Sequence, residues 1–372
     1  MSLQFIMGNS GSGKSYCLYD TVVREAIENP DKNYLVIVPE QFTMQTQKDL
    51  CLAHPKGGIM NIDVLSFGRL AYRVFEEVGQ DARVVLDDEG KNLVLRKIAG
   101  ECEKDLKVFK GNLKKQGYIS EVKSVLSEFA QYGVDFERLD DFMKEVPPES
   151  YLHYKLDDIR TIYEKFEEYL SEKYITKEEM LDVLSDAVPY SDILKGSVVA
   201  MDGFTGFTPV QNRLIGELFS VCEKVMITVT MDGRENPYVY EHPYQIFALG
   251  KQMVTSLMKI AGEKKTEIEE PICLFERPVY RFRDCSEMAF LETELFRYSG
   301  AKYNGSCESV SLHEVRSPGK EAKYVAESIR RLVRTKGYRY RDIAVIASDM
   351  NVYADVLEKA CASFDIPVLW II

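Results

Sequence analysis

Eight residues near the start of the chain, Gly8-Asn9-Ser10-Gly11-Ser12-Gly13-Lys14-Ser15, have the types and spacing to hold a row of phosphates. Gly8, Gly13, Lys14 and Ser15 match the pattern G-x-x-x-x-G-K-[ST] in full. Glycines let the backbone turn its N–H groups toward phosphate oxygens, and a helix starting at the loop adds the positive end of its dipole. The Lys14 ammonium would reach the β- and γ-phosphates of ATP or a similar nucleotide, and the Ser15 hydroxyl would ligate Mg²⁺. The alternative is a purely structural glycine turn. What favours the phosphate loop is its setting. Leu3 to Met7 reads as a short buried strand, and Ser15 to Ile27 has helical spacing, with Leu18, Val22 and Ala26 on one face.

Hydrolysis asks for more. An ATP-hydrolysing site of this kind places an acid at the end of a second strand, for the metal, and often a glutamate beside it to activate water. Asp202 ends the apolar run Ser197-Val-Val-Ala-Met-Asp202 and suits the first role as the Mg²⁺ partner of Ser15; a turn or helix cap is the alternative reading. Its neighbour is Gly203, not a glutamate. Glu40 is a carboxylate that would substitute, though nothing selects it. With seven residues before Gly8, no upstream segment is expected to read the base, so nucleotide selectivity comes from elsewhere or is loose.

The elements that must position these groups read as α/β. Tyr34–Val38 is a continuous apolar run, as expected for a parallel strand covered on both faces, and Asp63–Leu65 is a third candidate strand. Strand, loop, helix and strand open a βαβ unit. The strands at Val36–Val38 and Val198–Ala200 are expected beside the strand that leads into the loop, with Asp202 near Ser15. Between residues 70 and 190 glycine thins out and helical spacing dominates, as in 87–99, 118–132 and Leu156 to Leu170. Pro209 to Cys222 reads as a helix and Val225 to Val229 as a strand. After residue 305, strands are expected at Val310–Val315 and Asp342–Ala347, and helices at Gly319–Lys336 and Val352–Phe364.

Bulk properties narrow the class. At 372 residues the chain is long for one core and suggests two or three domains. The net charge of −12 argues against a protein that coats DNA, so any nucleic-acid contact is local. Eight cysteines stand in no C-x-x-C pair, which points to reduced, mostly buried thiols. No apolar stretch has the length of a membrane span or a signal peptide, so a cytoplasmic protein with no membrane partner is expected. The acidic stretch 140–192 reads as a solvated face rather than a metal site. One basic stretch stands out: residues 314–341 carry nine basic and three acidic side chains, suited to a phosphate backbone or an acidic partner. Thr43, Gln45 and Gln47 are candidates for contacts to a strand's backbone. Phe67, Phe204 and Phe207 are candidates to stack on bases, with core packing the commoner role of such rings.

These blocks together resemble a known family. The phosphate loop within ten residues of the start, Val38-Pro-Glu-Gln-Phe-Thr43, Ser66-Phe-Gly-Arg-Leu-Ala-Tyr-Arg73, Met201-Asp-Gly-Phe-Thr-Gly-Phe-Thr-Pro209 and Tyr338-Arg-Tyr-Arg-Asp-Ile-Ala-Val345 look like AddB, also called RexB, the B-type subunit of the bacterial ATP-dependent helicase/nuclease. The resemblance implies an α/β P-loop NTPase fold of the superfamily 1 helicase type: a RecA-type domain 1A from 1–75 and 195–300, a helical 1B-like insert at 76–194, and the start of a second RecA-like domain, 2A, at 305–372. It implies a heterodimer with AddA, the other helicase/nuclease subunit. It also implies action on DNA in double-strand-break repair and recombination-hotspot recognition, with ATP and Mg²⁺ as ligands. In this family the nuclease and its iron–sulfur cluster lie beyond the matched part, and Pro367-Val-Leu-Trp-Ile-Ile372 drifts from the family's usual continuation, as in a truncated gene or fragment. The alternatives are a stand-alone P-loop ATPase or small-molecule kinase, and a scaffold with a vestigial loop.

Overall fold

Apolar runs without polar alternation must be covered on both sides, and in this chain they pair as parallel strands. The computed structural model describes residues 1–79, 84–113, 115–170 and 174–370. It divides into two units, Met1–Ala289 and Phe290–Ile372. The first unit opens with β1 (Ser2–Gly8), α1 (Lys14–Glu28), β2 (Tyr34–Ile37), α2 (Thr43–Ala53), β3 (Ile62–Leu65) and α3 (Phe67–Val78). Next come β4 (Val84–Leu86), α4 (Asp88–Glu101), α5 (Gln116–Tyr132), α6 (Phe136–Glu145), α7 (Tyr151–Leu170), β5 (Tyr174–Thr176) and α8 (Glu179–Ala187). It continues with β6 (Val198–Met201), α9 (Pro209–Val221), β7 (Lys224–Thr230), α10 (Ala248–Lys264), β8 (Glu267–Ile268) and β9 (Ile272–Leu274). The helix α11 (Ser286–Glu294) spans the boundary in sequence between the two units.

The central sheet is parallel throughout, in the order β3-β2-β6-β7-β1, with β8 and β9 both along the outer edge of β1. Alternation along the strands feeds two cores. Leu3, Phe5, Met7, Leu35, Ile37, Val199, Met201, Val225 and Ile227 face α3, α8, α9 and α10. Ile6, Val36, Val198, Ala200 and Met226 face the other way, onto Leu18, Val22, Val23 and Ala26 of α1. The fold is thus α/β with helices on both faces of a parallel sheet.

The neighbours of β1 differ from the sequence expectation. Neither β2 nor β6 lies beside it; β7 does, with β6 one strand further on. Both β1 and β7 are seven residues long and match over their whole length, from Ser2↔Lys224 to Gly8↔Thr230. A four-residue strand such as β2 or β6 would leave backbone groups of β1 without partners in a buried position.

A separate core fills α4–α7, with Leu95, Ile98, Leu126, Ile162 and Phe166 at its centre. The stretch also holds a short parallel pair, β4 with β5, that helical periodicity did not announce. Met180, Leu184 and Ala187 of α8, inside the 76–194 range, are buried in the core of the main sheet. The acidic stretch is not uniformly a solvated face. Asp158 is 1% exposed, and its carboxylate accepts hydrogen bonds from the backbone N–H groups of Lys107, Val108 and Phe109 at 2.8, 2.7 and 2.8 Å. Burial beside Glu179 pushes the Glu167 carboxyl up to about 7. Among the described residues, no three His, Cys, Asp or Glu side chains gather as a metal site.

The second unit holds α12 (Pro318–Lys336), capped by the Ser317 side chain with Pro318 in its first turn, and α13 (Met350–Ser363). Ala326, Ile329, Cys361 and Ile366 form its small core. The expected strands at Val310–Val315 and Asp342–Ala347 do not form: neither segment has a ladder partner among the described residues, and Leu312 and Ile346 are almost fully exposed. An apolar alternation becomes a strand only when a neighbour takes its backbone hydrogen bonds. Ile371 and Ile372, the end of the divergent segment, lie outside the described residues.

The Asp158 contacts yield a prediction. Asp158→Ala would leave three N–H groups, that of Phe109 buried, without their acceptor, and should lower unfolding stability by about 3 kcal/mol, measured by urea denaturation.

Candidate functional site

The Gly8–Ser15 loop runs from the C-terminal end of β1 into the first turn of α1. Its tight path depends on missing side chains. A Cβ on Gly8 would lie 2.3 Å from Ser12 Oγ and 2.8 Å from the carbonyl oxygen of Leu274. Gly11 has φ +84°, and a Cβ there would lie 2.7 Å from Arg281 Cβ. Gly13 is the N-cap of α1 and supplies no side-chain cap, so the first N–H groups of the helix are left for another acceptor. Ser12 Oγ is buried with no hydrogen-bond partner. Asn9 is 2% exposed.

The loop forms one wall of an open cavity of about 490 Å³. Ser10, Gly11, Gly13, Lys14 and Ser15 line it, and so does Asp202 with Gly203 from the end of β6. The structure therefore brings the sequence-selected groups together. Lys14 Nζ donates to the carbonyl oxygens of Gly8 and Asn9 at 3.0 and 2.9 Å. Burial lowers the pKa of this amine to about 8; Asp202 opposes the shift and Arg281 adds to it.

Asp202 is 7% exposed, and both of its oxygens are engaged. Thr228 Oγ1, from β7, donates to Oδ1 at 2.6 Å, and the Tyr19 hydroxyl, from α1, donates to Oδ2 at 2.8 Å. Each oxygen keeps a further lone-pair site. A carboxylate and the Ser15 hydroxyl on one cavity form an all-oxygen donor set. That set suits Mg²⁺, which typically takes one or two carboxylates together with ligand phosphates.

Cavity and network residues not selected from the sequence include Tyr16, Tyr19, Thr228, Thr230, Tyr280 and Arg281. The last two sit on the short turn Tyr280–Phe282, and the Arg281 N–H donates to the Gly11 carbonyl oxygen at 3.1 Å. Tyr280 is 69% exposed, with the Arg283 guanidinium 5.1 Å from its ring centre. No motif marks these positions; only the sheet edge at β9 carries them to the loop.

Other candidates fall elsewhere, except that Phe204 also lines the cavity. Thr43 is buried and its hydroxyl donates to the Glu40 carbonyl, while Gln45 is engaged with Asp49. Glu40 is exposed and does not line the cavity. Phe67, Phe204 and Phe207 pack on one another at 5.4, 6.3 and 5.2 Å between ring centres, against the core. Of the eight cysteines, all free, only Cys102, Cys222 and Cys361 are buried. No helix among the described residues is long and apolar enough to cross a membrane.

The family model described as ADDB, N-terminal, matches residues 5–292, which include the loop, Asp202 and the Tyr280–Arg281 turn. The chain belongs to the AddB N-terminal family. It is 41% identical over 371 residues to the B-type subunit of the ATP-dependent helicase/deoxyribonuclease from Lachnoclostridium phytofermentans. The proteins of the same name from Thermoanaerobacter pseudethanolicus and Clostridium tetani are 35% and 33% identical over 369 residues. In each case 99% of this chain is covered and 32% of the relative, so the chain spans about a third of the length of the AddB relatives it matches.

The depressed amine gives a direct test. Lys14 is an ammonium below about pH 8 and a neutral amine above it. Acylation of Lys14, followed by mass spectrometry, should reach half its maximal rate near pH 8, well ahead of exposed lysines titrating near ~10.4.

Proposed function

We propose that this chain is the nucleotide-binding, helicase-like N-terminal part of an AddB-type subunit, working with an AddA-type helicase/nuclease partner in the processing of broken DNA ends and in recombination-hotspot recognition. The observation that carries the reading is the shared cavity: a glycine loop opening onto a helix N-terminus, with Lys14, Ser15 and Asp202 on its walls. Backbone N–H groups of the loop and the Lys14 ammonium bind ATP phosphates. Ser15 and Asp202 would hold Mg²⁺, which would supply charge neutralisation at the phosphates. Arg281 adds a second cation at the loop, and the exposed Tyr280 ring offers the base a stacking face.

The same cavity argues for binding over rapid turnover. Among the described residues, Asp202 is the one carboxylate lining it, and Gly203 stands where a water-activating acid would be. A general base must lie within hydrogen-bond reach of the water it activates. The parallel sheet is compatible with a RecA-type domain. In this reading 1–75 and 195–300 form domain 1A, 76–194 a 1B-like insert and 305–372 part of domain 2A, in a cytoplasmic complex. The exposed basic side chains of Arg316, Lys320, Arg331, Arg334, Lys336 and Arg341 are suited to DNA phosphates.

A fluorescent ATP analogue tests the site by anisotropy. Lys14→Ala should weaken binding by about ten- to a hundredfold, the loss expected for a charge-assisted contact to phosphate. Rapid DNA-independent ATP turnover, or phosphoryl transfer to a small acceptor, would instead identify a self-contained ATPase or kinase. Tyr280→Ala should weaken ATP about tenfold while leaving inorganic triphosphate binding unchanged, because a stacking contact is lost and no phosphate contact is.

A further inference from the structure

Asp202 is held more completely than a metal-ligating carboxylate needs to be. One oxygen accepts from Thr228 and the other from Tyr19, and the Tyr19 oxygen lies 3.3 Å from Thr46 Oγ1 on α2. Tyr19 has one proton and gives it to Asp202, so the Thr46 hydroxyl is the donor of the remaining contact. The chain of hydroxyls is largely buried: Thr46 is 4% and Thr228 4% exposed. Tyr19 lies five positions after Lys14 on the helix that the loop opens. The group that holds phosphate and the group that restrains the carboxylate therefore share one rigid element.

A hydrogen bond from the half-buried Tyr19 phenol fills one acceptor site of the carboxylate and draws charge from it. Both effects oppose coordination of a divalent cation on that side. We propose that Tyr19 is a positioning residue that clamps Asp202 and sets how much divalent cation the nucleotide site requires. The clamp weakens the Mg²⁺ contact of Asp202 and leaves phosphate binding to the loop untouched. Nothing in the motif pattern marks Tyr19, and the effect extends the nucleotide reading above, on which it rests.

The test separates the metal from the nucleotide. Anisotropy of the fluorescent ATP analogue is measured on the full chain against Mg²⁺ concentration, and again in EDTA. In Tyr19→Phe the ring stays and the donor goes. The Mg²⁺ concentration for half-maximal binding should fall about tenfold, the size expected for losing one hydrogen bond to a charged group, with affinity in EDTA unchanged. Thr46→Val, which loosens Tyr19 without touching Asp202, should shift the midpoint in the same direction by less, and serves if Tyr19→Phe folds poorly. A merely structural tyrosine would instead lower the melting temperature and both affinities together, with the Mg²⁺ midpoint fixed. That result, or a midpoint that rises, overturns the clamp while nucleotide binding stands. Failure of the wild-type chain to bind the analogue at all overturns the nucleotide reading and the clamp with it.

Discussion

The seven-residue ladder between β1 and β7 governs the geometry of everything at the cavity. It sets Gly8, where the chain leaves β1, level with Thr230. The next ladder sets Met201 level with Ile227, so Asp202 follows level with Thr228, and the hydroxyl meets the carboxylate at 2.6 Å. A slip of one residue in either ladder would turn Thr228 to the opposite face and put apolar side chains against the carboxylate. The parallel arrangement matters equally, because it brings the C-terminal ends of β1, β6 and β7 to one edge. A crevice at that edge is where open α/β sheets bind their ligands.

Charge at this edge is finely divided. Burial lowers the pKa of Lys14 while leaving it an ammonium at neutral pH, Arg281 pushes the same way, and Asp202 pulls back. The ammonium donates to the carbonyls of Gly8 and Asn9. An incoming phosphate adds negative charge where one carboxylate now stands against two cations.

Much of the cavity was legible in the primary structure because the relevant groups are local. The spacing from Gly8 to Ser15 is a property of eight consecutive residues, and the apolar run before it and the helical spacing after it give its setting. Asp202 was legible for a similar reason, as an acid closing an apolar run. The long-range part was not legible. The insertion of β7 between β1 and β6 depends on which strand matches the length of β1. The fate of Val310–Val315 and Asp342–Ala347 depends on whether a neighbour exists to pair with them. Alternation alone states that a segment suits a sheet, not that a sheet receives it.

By itself, the sequence determined the α/β class, the phosphate-loop pattern, the helices of residues 87–170 and the family to which the chain belongs. Each rests on local periodicity or on short blocks of fixed spacing. Tertiary structure decided the strand order, the burial of Asp158 under three N–H groups, and the meeting of Tyr19, Thr228, Tyr280 and Arg281 with residues 8–15 and 202. Those partners lie up to some hundreds of positions apart, and only the register of parallel strands, fixed by packing on both faces of the sheet, brings them within hydrogen-bond distance.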